Sequence, residues 1–210
     1  MKSSAFTLIE LIIVIVVASI LTVIMIPRLE RDGLREATIQ IVRHIQYTQH
    51  LAMHSDMYDS SDSNWYRKYW KIAFRTSRNC YTVYSDTDKD FLNDANESAI
   101  DSLTKVRLYA DNNCNSNSLN NDALLLEHSY SIDTITLTTP MGTTPHATDC
   151  NTNTKKYLAF DNLGRPHTSV STTMLGIMEN DCLITLTSGT RSSVVSVSAE
   201  TGYVTLLSIN

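Results

Sequence analysis

A chain of 210 residues is long enough for one ordinary domain with an appendage and too short for two comfortable domains. Its net charge of −5 argues against a protein devoted to nucleic acid, because such affinity comes mainly from cations that displace counterions from phosphate. The apolar share, 42%, is ordinary, but its placement is not.

From Phe6 to Ile26 the chain reads FTLIELIIVIVVASILTVIMI, with Glu10 its only charge. As a helix this stretch would be roughly 31 Å long, close to the hydrocarbon thickness of a bilayer. The sequence after Pro27 is polar and holds no second span, so a single membrane crossing is expected. A secretory signal peptide does not fit, since the apolar run is too long and no small-residue cleavage site follows Met25 and Ile26. A plain anchor fits the length but leaves Glu10 unexplained, because a carboxylate in lipid is costly and usually functional.

The opening MKSSAFTLIEL resembles the prepilin signal of type IV pilins and type II secretion pseudopilins. In that family a short basic leader is removed on the cytoplasmic side, just before a Phe that is then N-methylated. The resemblance implies cleavage between Ala5 and Phe6, N-methylation of Phe6, and an assembly role for Glu10. Where the family usually has Gly, this chain has Ala5. The physical chemistry supports the role independently. A freed Phe6 α-amine is mainly cationic at neutral pH, and Glu10 lies four residues on, on the same helix face. At about 4 Å and an effective dielectric near 20, such a pair is worth roughly 4 kcal/mol. Between staggered neighbours it would also set axial register. The plainer role, an acid favouring a helix amino terminus, is worth under about 1 kcal/mol.

Orientation is contested by the charges. Lys2 alone precedes the span while Arg28, Arg31 and Arg35 follow it, which by the positive-inside rule would put the carboxyl side in the cytoplasm. The leader signature and four cysteines in the polar part favour the opposite: a single-pass bacterial inner-membrane protein with its head in the periplasm, or exposed on a cell-surface filament.

Beyond Pro27, Leu34, Ala37, Ile41, Ile45, Thr48 and Ala52 recur at helical spacing to about Met57, with Gly33 placed to allow a bend. The expected organisation is a leader at 1–5, a membrane half of the helix at 6–26, an amphipathic half at 27–57 and a β-rich head at 58–210. Asp56 to Asn64 and Asp111 to Asp122 read as loops. Strand patterns occupy Tyr66–Phe74, Tyr81–Tyr84, Val106–Tyr109, Tyr130–Leu137, Tyr157–Phe160, Cys182–Leu186, Val194–Val197 and Tyr203–Leu207. The fold class is therefore α+β and pilin-like: a long amino-terminal helix packed on two small antiparallel sheets, or on one strongly curved sheet. FDNLGRP (Phe160 to Pro166) and ETGYVTL (Glu200 to Leu206) are similar to turns of the GspH/FimT class of minor pseudopilins.

Cys80, Cys114, Cys150 and Cys182 form no close pair of the zinc-site kind. They fit two disulfides in an oxidising compartment, with three connectivities open. Cys80–Cys114 with Cys150–Cys182 is favoured only as closing the shorter loops, and reduced thiols buried in the core are the competing reading.

Three polar groupings are candidates for binding. In DTDKDFLNDANE, counted from Asp86, acids stand at positions 1, 3, 5, 9 and 12 (Asp86, Asp88, Asp90, Asp94, Glu97), and Leu92 offers a carbonyl at 7. This is the oxygen-ligand spacing of a calcium loop, although Phe91 occupies the position where an EF-hand needs Gly. The competing reading is an acidic, solvated turn. In NWYRKYWKIAFRTSR, strand alternation would place Arg67, Tyr69, Lys71 and Arg75 on one face, as in grooves for single-stranded nucleic acid. His50 and His54 are four apart on the helix, but HLAMH is not the HExxH of a zinc protease. No catalytic motif is present, and calcium is the sole cofactor suggested.

The function expected is that of a minor pilin or pseudopilin in a type II secretion or type IV pilus filament. Its partners, as the resemblance implies, are related pilins, the prepilin peptidase, an inner-membrane assembly platform and membrane lipid. The alternative is a membrane-anchored module that presents the Arg67–Arg75 face to DNA during uptake.

Overall fold

The computed structural model describes residues 7–25, 32–90, 92–150, 156–168 and 176–210. The chain divides into two units, Met1–Asp32 and Gly33–Asn210. In the first, helix α1 runs from Leu8 to Met25 and supplies 18 residues of the expected span. Among the described residues no helix is long and apolar enough to cross a membrane. Phe6, Ile26 and the expected continuation of the helix through Pro27 lie outside the described residues.

The second unit begins with α2, Gly33–His54, which buries Leu34, Ala37, Thr38, Ile41, Ile45, Thr48 and Ala52. This is the apolar stripe read from the sequence, with Thr38 added. The Thr38 hydroxyl is satisfied there by the Leu34 carbonyl at 2.6 Å and the Ser193 hydroxyl at 2.6 Å. The bend expected near Gly33 would involve residues 26–31, which lie outside the described residues, but the close packing at Gly33 is plain. A Cβ there would lie 2.5 Å from the Tyr130 carbonyl oxygen, so glycine permits close approach of the segment that packs on α2.

Among the described residues, eight strands form two antiparallel four-stranded sheets. The first has the order β2 (Cys80–Tyr84), β1 (Lys71–Arg75), β4 (Lys156–Phe160), β5 (Pro166–His167). The second has the order β3 (Thr134–Thr138), β6 (Cys182–Ser188), β7 (Arg191–Val197), β8 (Val204–Ile209). The helix α2 packs on β1 and β4 of one sheet and on β6, β7 and β8 of the other. Ile41, Ile45, Ile72, Tyr81, Phe160, Ile184 and Val195 thus share one core. The fold is the α+β, pilin-like arrangement expected.

Three expected strands are corrected. Over Tyr66–Phe74 the chain first makes a 3-10 turn, Trp65–Lys68, and only then β1. Tyr66 and Tyr69 both belong to a cluster with Tyr157 and Ala159, and a strand would send residues three apart to opposite faces. Val106–Tyr109 is no regular strand. Leu108 instead bridges two partners, its carbonyl accepting from Val83 N at 3.0 Å and its amide donating to Ala99 O at 2.7 Å, which covers the outer edge of β2. That cover explains why all five residues of β2 are buried. Tyr130 ends a short helix, α3 (Leu126–Tyr130), closed by Ser131 in the left-handed region at φ 56°. β3 starts only at Thr134. β6 and β7 extend beyond their expected ends because Gly189, at φ 59°, closes a tight hairpin between Ser188 and Arg191.

Two disulfides close the head, Cys80–Cys114 with Cα atoms 6.0 Å apart and Cys150–Cys182 with Cα atoms 5.8 Å apart. This is the favoured pairing, and no cysteine is left free.

Candidate functional site

The amino-terminal candidate centres on Glu10. Thr7 precedes the first turn of α1, and its hydroxyl oxygen accepts the Glu10 amide at 3.3 Å. The same hydroxyl reaches the Glu10 carboxylate at 3.5 Å. Thr7-x-x-Glu10 is therefore a capping-box spacing, missed in the sequence because Thr7 was absorbed into the apolar run. Ser19 and Thr22, the other polar groups of the helix, donate to the carbonyls of Ile15 at 2.7 Å and Ala18 at 2.8 Å. Such bonding hides hydroxyls that would otherwise face an apolar surrounding. Every side chain from Thr7 to Thr22 is exposed, so the helix is apolar on all sides. The cleavage residues Ala5 and Phe6 lie outside the described residues.

The acidic loop follows β2 directly. One carboxylate oxygen each of Asp86, Asp88 and Glu97 lies within 4.8 Å of the others, and Asp88, Asp90 and Asp94 make a second such group. Asp86 is 2% exposed and Glu97 8%. Glu97 Oε1 accepts three donors: Thr87 N at 2.7 Å, the Thr87 hydroxyl at 2.6 Å and Asp88 N at 3.2 Å. Asp90 accepts the Leu92 amide at 2.7 Å, while Asp88 accepts the Asp90 amide at 3.2 Å. Burial raises the Asp86 pKa; Lys71 opposes the rise, and Glu97, Asp90 and Asp88 add to it. Phe91 lies outside the described residues.

The basic face is not assembled as expected. Lys71 is 3% exposed, donates to the Arg67 carbonyl at 2.9 Å, and stands 3.7 Å from Asp86 Oδ2 and 5.0 Å from the Tyr84 ring centroid. Tyr69 is buried beside His167, its pKa pushed up by burial to about 12. Arg75 is half-buried and donates to Asn93 Oδ1 at 2.5 Å. With the 3-10 turn breaking the alternation at Arg67, these four residues do not line one open strand face.

On α2, the His50 and His54 rings stack with centroids 4.1 Å apart. Among the described residues no third ligand-type side chain joins them. The two carboxyl-terminal turns do come together. Gln49 Nε2 donates to the Gly164 carbonyl at 2.8 Å and to the Thr201 carbonyl at 3.0 Å, so one helix residue ties FDNLGRP to ETGYVTL.

Residues 1–26 match the family model of the prokaryotic N-terminal methylation motif. No curated protein and no solved structure matches the chain.

Proposed function

We propose that this chain, whose residues 1–26 carry the methylation motif characteristic of type IV pilins and pseudopilins, is a minor subunit of a helical filament, anchored in the bacterial inner membrane before assembly. The prepilin peptidase cuts between Ala5 and Phe6 and frees the amine that is methylated. The Phe6–Ile26 segments of neighbouring subunits then pack side by side, and Glu10 of one neutralises the Phe6 amine of the next. The head, on the periplasmic side, meets related pilins and the assembly platform. The observation that carries this reading is an all-round apolar helix with one carboxylate near its start, directly behind a methylation signal. Among the described residues that carboxylate meets only a neutral hydroxyl at 3.5 Å, which leaves its charge for another partner. The resemblance of FDNLGRP and ETGYVTL, whose turns meet at Gln49, to turns of the GspH/FimT class supports placing the subunit among those type II secretion pseudopilins.

Amino-terminal sequencing and intact mass of the mature protein test this reading. The expected product begins with N-methylated Phe6, and Glu10→Leu is processed normally but stays out of the filament. A product starting at Met1 or beyond Phe6 would overturn it, as would normal assembly of Glu10→Leu.

A further inference from the structure

We propose that Asp86, Asp88 and Glu97 form a calcium site that orders the loop following β2, a property separate from filament entry. Acid clustering alone would not carry this, since exposed carboxylates crowd together on many surfaces. The second observation is the state of the two buried acids. Asp86 Oδ1 and Glu97 Oε2 are both fully enclosed and, among the described residues, have no hydrogen-bond partner. A carboxylate that served only to pin the loop would need the three donors already on Glu97 Oε1. The second oxygen is buried without a donor, an arrangement that is costly unless a cation is the partner.

Lys71, which pairs with Asp86, does not reach these two oxygens. Lys71 Nζ forms an ion pair at 3.7 Å with the other Asp86 oxygen, Oδ2, beyond hydrogen-bond reach, and donates one of its N–H groups to the Arg67 carbonyl at 2.9 Å. Three carboxylates and this ammonium leave two negative charges, the number that a divalent ion neutralises. The donors are all oxygens, which selects a hard cation. Asp86 and Asp88 come from irregular backbone and Glu97 from the end of a 3-10 turn, which suits the adaptable shell of calcium, with six to eight oxygens at about 2.3–2.6 Å, better than the strict octahedron of magnesium. Asp88 also belongs to the outer group with Asp90 and Asp94, which adds negative potential beside the site. The sequence spacing suggested one set of ligands running through Leu92. The fold gathers the carboxylates in two groups, Asp86 with Asp88 and Glu97, and Asp88 with Asp90 and Asp94, with Glu97 held beneath Thr87 and Asp88.

The test uses the full chain in detergent, stripped with chelator and then titrated with calcium or magnesium chloride. Thermal unfolding and calorimetry are the readouts. At about a hundredfold excess of calcium over its Kd, Tm is expected to rise by about 5–10 °C, with a smaller rise for magnesium. Asp88 is exposed, so Asp88→Asn is expected to fold, to keep its metal-free Tm, and to weaken calcium binding by about tenfold or more. Asp86→Asn also removes the charge beside buried Lys71, so it lowers the metal-free Tm and its loss of calcium response is read against that lower baseline. A Tm indifferent to calcium and chelator would overturn the site, as would a full calcium response in Asp88→Asn. An equal response to magnesium would overturn the choice of calcium. None of these readouts depends on filament assembly.

Discussion

His44 Nδ1 stands 2.7 Å from the Tyr81 hydroxyl oxygen, where α2 meets β2. Gln40 Nε2 donates to that same oxygen at 2.8 Å and to the Ala123 carbonyl at 2.6 Å, while the Tyr130 hydroxyl donates to Gln40 Oε1 at 2.6 Å. With Gln40 donating to it, Tyr81 turns its proton to His44, which must then offer a lone pair at Nδ1. The pairing requires a neutral imidazole.

This relationship makes the head acid-sensitive. Burial lowers the His44 pKa to about 4, with Asp101 opposing and Arg43 assisting. The unfolded chain takes up a proton on His44 below its ordinary value while the folded chain does not. Stability is therefore whole above about pH 6.5 and declines as pH falls towards about 4, by about 3 kcal/mol in all. Urea midpoints at a series of pH values should show that slope, and His44→Gln should flatten it. An unchanged slope in that variant would assign the sensitivity elsewhere.

Asp161 gives a second, lower window. Burial disfavours its charge, yet hydrogen bonds from His167, from the Arg165 amide and guanidinium and from the Leu163 amide bring its pKa down to about 2. A carboxyl group depressed by folding stabilises above its unfolded value, near 3.9, and that stabilisation is lost as pH falls from there to about 2. Asp161→Asn should cost about 2 kcal/mol at neutral pH and nearly nothing at about pH 2, measured by chemical unfolding. A constant penalty across that range would mean that shape, not charge, holds the turn.

The sequence made α1, α2 and most strands legible because each carries its own period, whereas the short α3 was read in part as a strand. The stripe from Leu34 to Ala52 and the alternation of Thr134–Thr138 need no distant information. What escaped depended on distant partners. Tyr66 and Tyr69 look like strand residues until Tyr157 and Ala159 gather them on one side. Lys71 looks like a surface cation until Asp86 and the Tyr84 ring enclose it. The acidic loop was visible from its spacing, but the burial of Asp86 and Glu97, which turns a solvated loop into a candidate site, was not. Thr7 was missed for another reason, since its role lies in a cap that the apolar run conceals.

The disulfides should each hold the head independently. Cys80–Cys114 spans 34 residues and Cys150–Cys182 spans 32, so the two restrict the unfolded chain about equally. Replacing either pair by serine is expected to cost about 3–4 kcal/mol. Peptide mapping without reduction should find these two linkages, and the two double variants should lose similar amounts in urea unfolding. Unequal losses would show that one bridge acts mainly through native packing.

Three glycines with positive φ allow backbone strain and steric contact to be told apart. Gly189, at φ 59°, has nothing within 4 Å of a built Cβ. Gly164, at φ 79°, would place that Cβ 3.1 Å from Gln49 Nε2 and from Met53 Sδ, both on flexible side chains. Gly202, at φ 68°, would place it 2.6 Å from the Gly164 carbonyl oxygen, a backbone atom that cannot swing away. All three alanine variants incur the left-handed penalty, about 1–2 kcal/mol. Only Gly202→Ala must also push apart the two turns that Gln49 joins, so it should lose at least about 2 kcal/mol more than Gly189→Ala, with Gly164→Ala between them. Gln49→Leu removes the donor to both turns and should reduce the extra loss at Gly202, because the variants act on one contact. Urea unfolding of the single and double variants measures this coupling, and strict additivity would show that the turns do not depend on Gln49.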